Sequence, residues 1–215
     1  MRPSAPGRPA GDTVGGSARR PVTTFGPKHP SVRAIRPSPV CSDRSYRGDM
    51  DTPRIRPIGP ADIDGLERFY AELSAEDRRT RFMHVGARLS EAQAVSFCTP
   101  DHAHRDGFVA VVTEASGRER IVGHLCLEPD GVATAEVAVA VAGEYQGYGV
   151  GRRLLAAGVA WAHHEGVTRL TATMYVDNAP IQRLLRGLDR PTVERSLGGG
   201  VTEVVIDISE HLIAA

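Results

Sequence analysis

A glycine-rich loop is the feature of this sequence with the clearest chemistry. Residues 146–151 read Gln-Gly-Tyr-Gly-Val-Gly, after a strand-like run that ends at Val141 and before a helix-like run that begins at Val150. The first N–H groups of a helix have no partner within it, and the helix dipole favours an anion beside them. Glycines let a phosphate approach such a backbone closely. The pattern therefore predicts a phosphate or pyrophosphate site, next to the positive charges of Arg152 and Arg153.

Two common phosphate-binding motifs do not fit this loop. A Walker loop requires Gly-Lys-Ser/Thr, whereas Gly151 is followed by two arginines. A dinucleotide fingerprint that starts at Gly147 requires its third glycine where Arg152 stands. The pyrophosphate loop Gln/Arg-x-x-Gly-x-Gly/Ala fits, with Gln146, Gly149 and Gly151 at its defined positions.

The other reactive side chains show weaker patterns. His102 and His104 stand near two aspartates, but no complete ligand set is visible, so no metal is predicted. The three cysteines are far apart and fit neither a disulfide framework nor a Cys-x-x-Cys site. The chain has no apolar run of the roughly 20 residues that cross a bilayer, and no secretory signal. These observations predict a cytoplasmic protein without membrane contact.

The chain of 215 residues divides into two regions of opposite charge. Residues 1–50 are rich in Pro, Gly and Arg, carry nine basic and three acidic residues, and show no periodicity, which predicts a disordered extension. The alternative is that translation starts at Met50 and that the extension is not made. The remaining residues hold 17 basic and 23 acidic side chains, which argues against a nucleic-acid-binding surface.

Residues 52–215 carry the periodicity of one folded domain. The predicted order is a strand, two or three helices, three strands, a helix from Val150, a strand, a helix, and a closing hairpin. Ser74 with Asp77 and Ser90 with Gln93 have the spacing of capping boxes at two helix starts. Hairpins on both sides of one strand–helix–strand unit predict an α+β fold, with a mixed, mainly antiparallel sheet flanked by helices.

With these elements in place, residues 54–208 resemble the GNAT N-acetyltransferase family, and most of all the catalytic domains of bacterial protein-lysine acetyltransferases. The resemblance rests on the glycine loop, on the element order, and on the segments 54–62, 73–82 and 135–138. It implies the GNAT fold and acetyl-CoA as cosubstrate. It also implies a splay between the strand that ends at Val141 and the strand that begins near Val167. The cofactor-binding positions it implies are Val139, Ala140 and Val141 along the pantetheine arm, Gln146, Gly147, Tyr148, Gly149, Val150, Gly151 and Arg152 around the pyrophosphate, and Asn178 near the splay.

The catalytic residues are less well defined by this resemblance. Many family members use a Glu five residues before the Asn and a Tyr seven after it, but those positions hold Thr173 and Leu185 here. Glu136, in an Ala-Glu-x-Ala strand pattern, is therefore the candidate base, and a solvated strand residue is the alternative interpretation. The Val141 N–H is the candidate oxyanion donor. Asn178 has a competing interpretation as a helix cap.

The function expected from these patterns is acetyl transfer from acetyl-CoA to a primary amine, either a protein lysine or a small molecule. A non-catalytic acyl-CoA-binding or sensing module is the alternative, because the usual Glu and Tyr are absent. A binder of a different phosphate ligand is a third hypothesis. A homodimer is common in the family, and the sequence itself leaves the oligomeric state open.

Overall fold

The computed structural model describes residues 52–86 and 88–209. The predicted extension 1–50, its alternative start at Met50, and residues 210–215 lie outside this range. Within it, seven strands form one sheet in the order β1-β2-β3-β4-β5-β7-β6. Their bounds are β1 Arg54–Pro57, β2 Asp106–Thr113, β3 Glu119–Pro129, β4 Thr134–Val141, β5 Arg169–Tyr175, β6 Thr192–Gly198 and β7 Val201–Asp207.

The sheet is antiparallel except at one place. Strands β4 and β5 pair in parallel, and every other neighbouring pair is antiparallel. A parallel pair needs a long crossover connection, and here that connection contains the helix that follows the glycine loop. The predicted fold class is therefore confirmed.

Five α-helices cover the two faces of the sheet. They are α1 Ile63–Glu72, α2 Ala75–Phe82, α3 Glu91–Cys98, α4 Val150–His164 and α5 Ala179–Arg186. Both predicted helix starts are confirmed, since Ser74 Oγ accepts the Asp77 N–H and Ser90 Oγ accepts the Gln93 N–H. At Ser90 the capping box is complete, because Gln93 Oε1 also accepts the Ser90 N–H, whereas at Ser74 the Asp77 carboxylate accepts the serine hydroxyl instead. None of these helices is long and apolar enough to cross a membrane.

Helices α4 and α5 pack on one face of the sheet and α1 to α3 on the other. The first face holds the larger core, in which Leu154, Leu155 and Leu185 meet odd-numbered residues of β4 such as Val137. Helix α4 approaches β3 closely because Gly158 has no Cβ, which would stand 3.0 Å from a Leu125 methyl. The second face holds a smaller core around side chains of α1, including Leu66, Phe69 and Tyr70.

Candidate active site

A wedge-shaped cleft opens between β4 and β5. Their parallel pairing runs only from Thr134–Arg169 to Glu136–Thr171. Beyond that point β4 continues along β3 up to Val141, and β5 continues along β7 up to Tyr175, but the two strands no longer pair. The splay implied by the resemblance is therefore present, and its apex is the pair formed by Glu136 and Thr171.

Along β4, the backbone N–H and C=O groups of successive residues point alternately toward β3 and toward β5. Ala142 N–H donates to Val122 O at 2.9 Å, and Asp130 N–H donates to Thr134 O at 3.0 Å, so even-numbered residues of this ladder turn toward β3. Odd-numbered residues therefore turn toward the cleft. Of the three positions expected to pair with the cofactor, Val139 and Val141 present backbone groups to the cleft. Ala140 instead pairs with His124 of β3 and buries its methyl against α1.

The glycine loop lies at the mouth of this cleft. Gly147 and Gly149 have φ of +79° and +80°, in the left-handed region that favours glycine. Gly149 is the N-cap of α4, and no side chain caps the helix there. The first helical bond is donated by Arg153 N–H to Gly149 O at 3.1 Å. Within residues 52–86 and 88–209, no protein group accepts a hydrogen bond from the N–H groups of residues 147–152.

The other loop positions surround these free amides. Tyr148 and Arg152 are exposed, Val150 is buried in the α4 core, and Gly151 is half-buried beside Leu184. The loop therefore presents a row of unsatisfied donors at the positive end of a helix of 15 residues. This arrangement suits a phosphate or pyrophosphate group.

Gln146 uses its side chain inside the protein. Its Nε2 donates to Val141 O and to Asp77 Oδ1, both at 3.0 Å. Its backbone N–H donates to Gly143 O at 3.1 Å. The side-chain amide therefore joins the end of β4 to the first turn of α2. Asp77 is a partner of the loop that the sequence alone did not identify, because only its position at the helix start has a local signal.

Glu136 stands at the apex of the cleft with an exposed side chain. Its side chain lies on the same face as Ala138 and Ala140, toward α1 to α3. Directly opposite on β3 is Glu128, whose carboxylate is 3.7 Å from the Arg105 guanidinium. Among the described residues Glu136 itself has no hydrogen-bond or ion-pair partner. Two carboxylates in direct opposition disfavour the sheet, and the Arg81 guanidinium, which interacts electrostatically with Glu136, offsets part of that repulsion.

Helix α2 crosses the face of the sheet above the cleft. The Arg79 guanidinium stacks 4.2 Å from the ring centroid of Tyr175, the last residue of β5. Arg81 Nη2 donates to Cys126 Sγ of β3 at 3.1 Å, and the helix also lies against β4. Its contacts thus reach strands on both sides of the splay. This stack holds the Tyr175 ring against α2.

A buried polar group lies beneath α2. His124 is fully buried on β3, and burial lowers its pKa to about 3, so its ring is neutral at pH 7. Its Nδ1 is 2.9 Å from the Tyr70 hydroxyl, whose pKa burial raises to about 12. Cys98 and Cys126 are buried free thiols, and burial raises the pKa of both. His124, Cys98 and Cys126 therefore belong to the core.

Asn178 caps helix α5. Its Oδ1 accepts the Ile181 N–H at 3.3 Å, which matches the competing interpretation from the sequence. The side-chain amide nitrogen stays available, so contact with a cofactor remains a prediction. Leu185, in place of the usual tyrosine, is buried in the core on the opposite face from α2. Helix α5 therefore offers no acid at that position.

The loop before β2 has a structural explanation. Asp101 accepts hydrogen bonds from the N–H groups of Ala103, His104 and Arg105, and its carboxylate also contacts the His104 ring. His102 pairs instead with Asp106 at 2.9 Å. In the part of the chain that the structure describes, no three His, Cys, Asp or Glu side chains could hold a metal ion together.

Comparison with known proteins agrees with this geometry. A splayed parallel pair inside an antiparallel sheet, with a glycine loop opening the next helix, defines the acyl-CoA N-acyltransferase fold. The profile of the Acetyltransferase (GNAT) family matches residues 67–189. The chain therefore belongs to the GNAT family.

Three relatives show how far the similarity extends. Acetyltransferase Pat of Mycolicibacterium smegmatis is 32% identical over 151 residues, which are 70% of this chain but 44% of that protein. The GNAT domain of S. lividans PAT is 27% identical, with a TM-score of 0.64 over 72% of this chain and 90% of that one. The yncA structure from Salmonella typhimurium, solved with its cofactor acetyl-CoA, is 18% identical, with a TM-score of 0.55 over 75% of this chain and 97% of that one. This chain thus spans less than half the length of the curated relative.

Proposed function

We propose that this domain transfers an acetyl group from acetyl-CoA to a primary amine, on a protein lysine or a small molecule. The observation that carries the proposal is the continuity of the cleft. Free amides of the glycine loop stand at its mouth, backbone groups of Val139 and Val141 that do not pair with β5 line one wall, and a carboxylate stands at its apex. The family relationship and the acetyl-CoA bound in the Salmonella typhimurium structure support the choice of cosubstrate.

The glycine loop and the β4 wall of the cleft bind different parts of the cofactor. Backbone N–H groups of residues 147–152 hold the pyrophosphate, with Arg152 beside them. The pantetheine arm pairs with the backbone of Val139 and Val141, as an added strand would. Pairing along β4 directs the thioester from the loop toward the apex of the cleft.

The amine has to lose a proton during the transfer. A lysine amine with a pKa of about 10.4 is neutral in roughly one molecule in two thousand at pH 7. The neutral amine attacks the thioester carbonyl carbon, and the carbon–sulfur bond breaks when the tetrahedral intermediate collapses. Glu136 accepts the amine proton directly or through one water, and the CoA thiolate leaves and takes up a proton from solvent.

The position of Glu136 selects the oxyanion donor. A strand rises about 3.3 Å per residue, so Val139 lies about 10 Å along β4 from Glu136 and Val141 about 17 Å. A carboxylate side chain and one water reach across the shorter distance but not the longer one. The Val139 N–H is therefore the oxyanion donor consistent with Glu136 as base, in place of the Val141 N–H expected from the sequence.

The proposal is tested on the full chain with acetyl-CoA and a panel of amines, including polyamines and lysine-containing peptides. CoA release is followed with a thiol reagent, and acetyl-CoA affinity by calorimetry. We expect turnover with at least one amine. Affinity for acetyl-CoA without turnover of any amine would instead identify the non-catalytic acyl-CoA-binding module.

Glu136→Gln tests the base assignment, with Glu128→Gln as its matched control. The two glutamates face each other across the β3–β4 ladder, but only Glu136 is at the apex. We expect Glu136→Gln to lower kcat at pH 7 by about 100-fold or more without weakening acetyl-CoA binding. The loss should shrink toward pH 10, where the amine deprotonates itself. Equal kcat in the two variants at every pH would refute the assignment.

A further inference from the structure

Gln146 belongs to the glycine loop, yet its side-chain amide faces away from the free amides of that loop. Both of its hydrogen bonds go to protein acceptors, Val141 O and Asp77 Oδ1. Asp77 is at the same time the N3 residue of α2 and bonds to its N-cap residue, Ser74. Its N–H donates to Ser74 Oγ at 3.0 Å, and its Oδ2 accepts the Ser74 hydroxyl at 2.6 Å. One continuous set of hydrogen bonds therefore connects the end of β4, the loop and the start of α2.

Few apolar contacts hold helix α2 in place. None of its eight residues is buried, and Phe82 at its end is the main side chain in contact with the core. Its remaining anchors are polar or cationic: Arg78 donates to backbone carbonyls of α1, Arg79 stacks on Tyr175, and Arg81 reaches Cys126. A surface helix with so little buried area depends on such individual contacts for its position.

The position of α2 matters because of what lies beneath it. The helix runs over β4 and contacts Tyr175 at the end of β5, so it crosses the splay on the face where Glu136, Ala138 and Ala140 project. An amine that approaches Glu136 from this face has to pass beside α2. The helix is therefore a wall of the acceptor side of the cleft.

We propose that Gln146 and Asp77 form a positioning link that sets the place of α2, and hence of the acceptor wall, from the cofactor-binding loop. This inference rests on the proposed function, because the acceptor side is defined by Glu136 as base. The link acts on the acceptor and not on the cofactor. Gln146 keeps its bond to Val141 O, and the loop amides stay free, when Asp77 is removed.

The test compares two helix-capping residues. Asp77 and Gln93 occupy the same N3 position in α2 and α3 and each bonds to the N-cap serine, but of the two only Asp77 contacts the loop. We expect Asp77→Ala to lower kcat/KM for the amine that the wild-type protein uses best by about tenfold, chiefly through KM. Acetyl-CoA affinity should stay within about twofold. Gln93→Ala should lower the melting temperature comparably and leave kcat/KM unchanged.

Two further variants separate the link from the charge of Asp77. Asp77→Asn keeps an oxygen that accepts from Gln146 Nε2, so it should retain most of the activity. Gln146→Met removes the donor, and the double variant with Asp77→Ala should be no worse than the poorer single variant. The proposal would be overturned if Asp77→Asn were as impaired as Asp77→Ala, or if Asp77→Ala were as active as Gln93→Ala.

Hydrogen exchange gives a measurement that needs no turnover. Exchange of the α2 amides should be faster in Gln146→Met than in the wild-type chain, with or without CoA, because the loop then no longer holds Asp77 while the Ser74 cap stays intact. If the wild-type protein binds CoA but acetylates no amine, the proposed function fails while the link is still decided by this exchange. Equal protection of α2 in both proteins would refute the link itself.

Discussion

Gly149 offers a direct test of whether the loop holds a phosphate group. It has φ of +80° at the N-cap of α4, where an added Cβ would meet no protein atom within 4 Å. Gly117, in the β2–β3 hairpin, has the same φ of +80° and the same open surroundings. The two glycines therefore differ in what they face and not in backbone strain.

Alanine at either position costs about 1–2 kcal/mol, because a side chain in the left-handed region crowds its own backbone. Both variants should lose that amount of unfolding free energy in urea, or about 2–8 °C in melting temperature. At Gly149 the methyl group also stands where a phosphate oxygen would approach. Loss of one charge-assisted hydrogen bond, about 1.5–3 kcal/mol, raises the Kd for CoA by roughly 10- to 100-fold.

Calorimetry with CoA and urea unfolding on the same preparations separate the two effects. Gly149→Ala and Gly117→Ala should be equally destabilised, and only Gly149→Ala should bind CoA weakly. If both bind CoA like the wild-type protein, the amides of residues 147–152 do not hold the pyrophosphate. CoA would then not lie in the β4–β5 cleft in the way proposed here.

Two buried titratable groups give predictions for stability against pH, each measured by urea unfolding. His124 has a native pKa of about 3, against an ordinary 6.5, because it is buried. Between these two values the unfolded chain binds a proton that the native chain does not. The free energy of unfolding therefore falls, as the pH drops from 6.5 toward 3, by up to about 1.4 kcal/mol per pH unit. His124→Gln should lack this slope, and an unchanged slope would contradict the assignment. Asp62 behaves differently: burial would raise its pKa, but hydrogen bonds from Arg56 at 2.6 and 2.7 Å and from Gly59 N–H outweigh burial and lower it. Its stabilisation is complete above pH 3.8 and lost as the pH falls through the lower native pKa, so Asp62→Asn should be less stable than wild type at pH 7, with a difference that disappears in acid.

The elements of this fold could be predicted because their signals are local. Serines at 74 and 90 mark helix starts through residues three positions later, and the structure has both caps. Alternating apolar residues identify the strands, and the glycine loop identifies the start of α4. Each of these signals acts over a few residues, where the chain's own geometry decides the outcome.

The arrangement of the site could not be predicted in the same way. Asp77 and Gln146 are 69 residues apart, and nothing in either segment indicates the hydrogen bond between them. The apex of the cleft depends on where the β4–β5 pairing stops, after Glu136 and Thr171, and no local sequence pattern marks that point. Asn178 illustrates the opposite difficulty, since a helix cap and a cofactor contact require the same residue at the same place.

The unsatisfied polar groups of the described residues are concentrated around one region of the sheet. The loop amides are free, Glu136 faces another glutamate, and the buried atoms Arg81 Nε and His124 Nε2 have no hydrogen-bond partner. A buried polar group without a partner costs about 1–3 kcal/mol, and most such groups in native proteins are paired. The two buried atoms lie on α2 and β3, beside the cleft, whereas Glu136 and most of the loop are exposed to solvent and carry no such cost. Buried polar groups without partners beside a cleft are typical of functional sites, where a local loss of stability accompanies binding and catalysis.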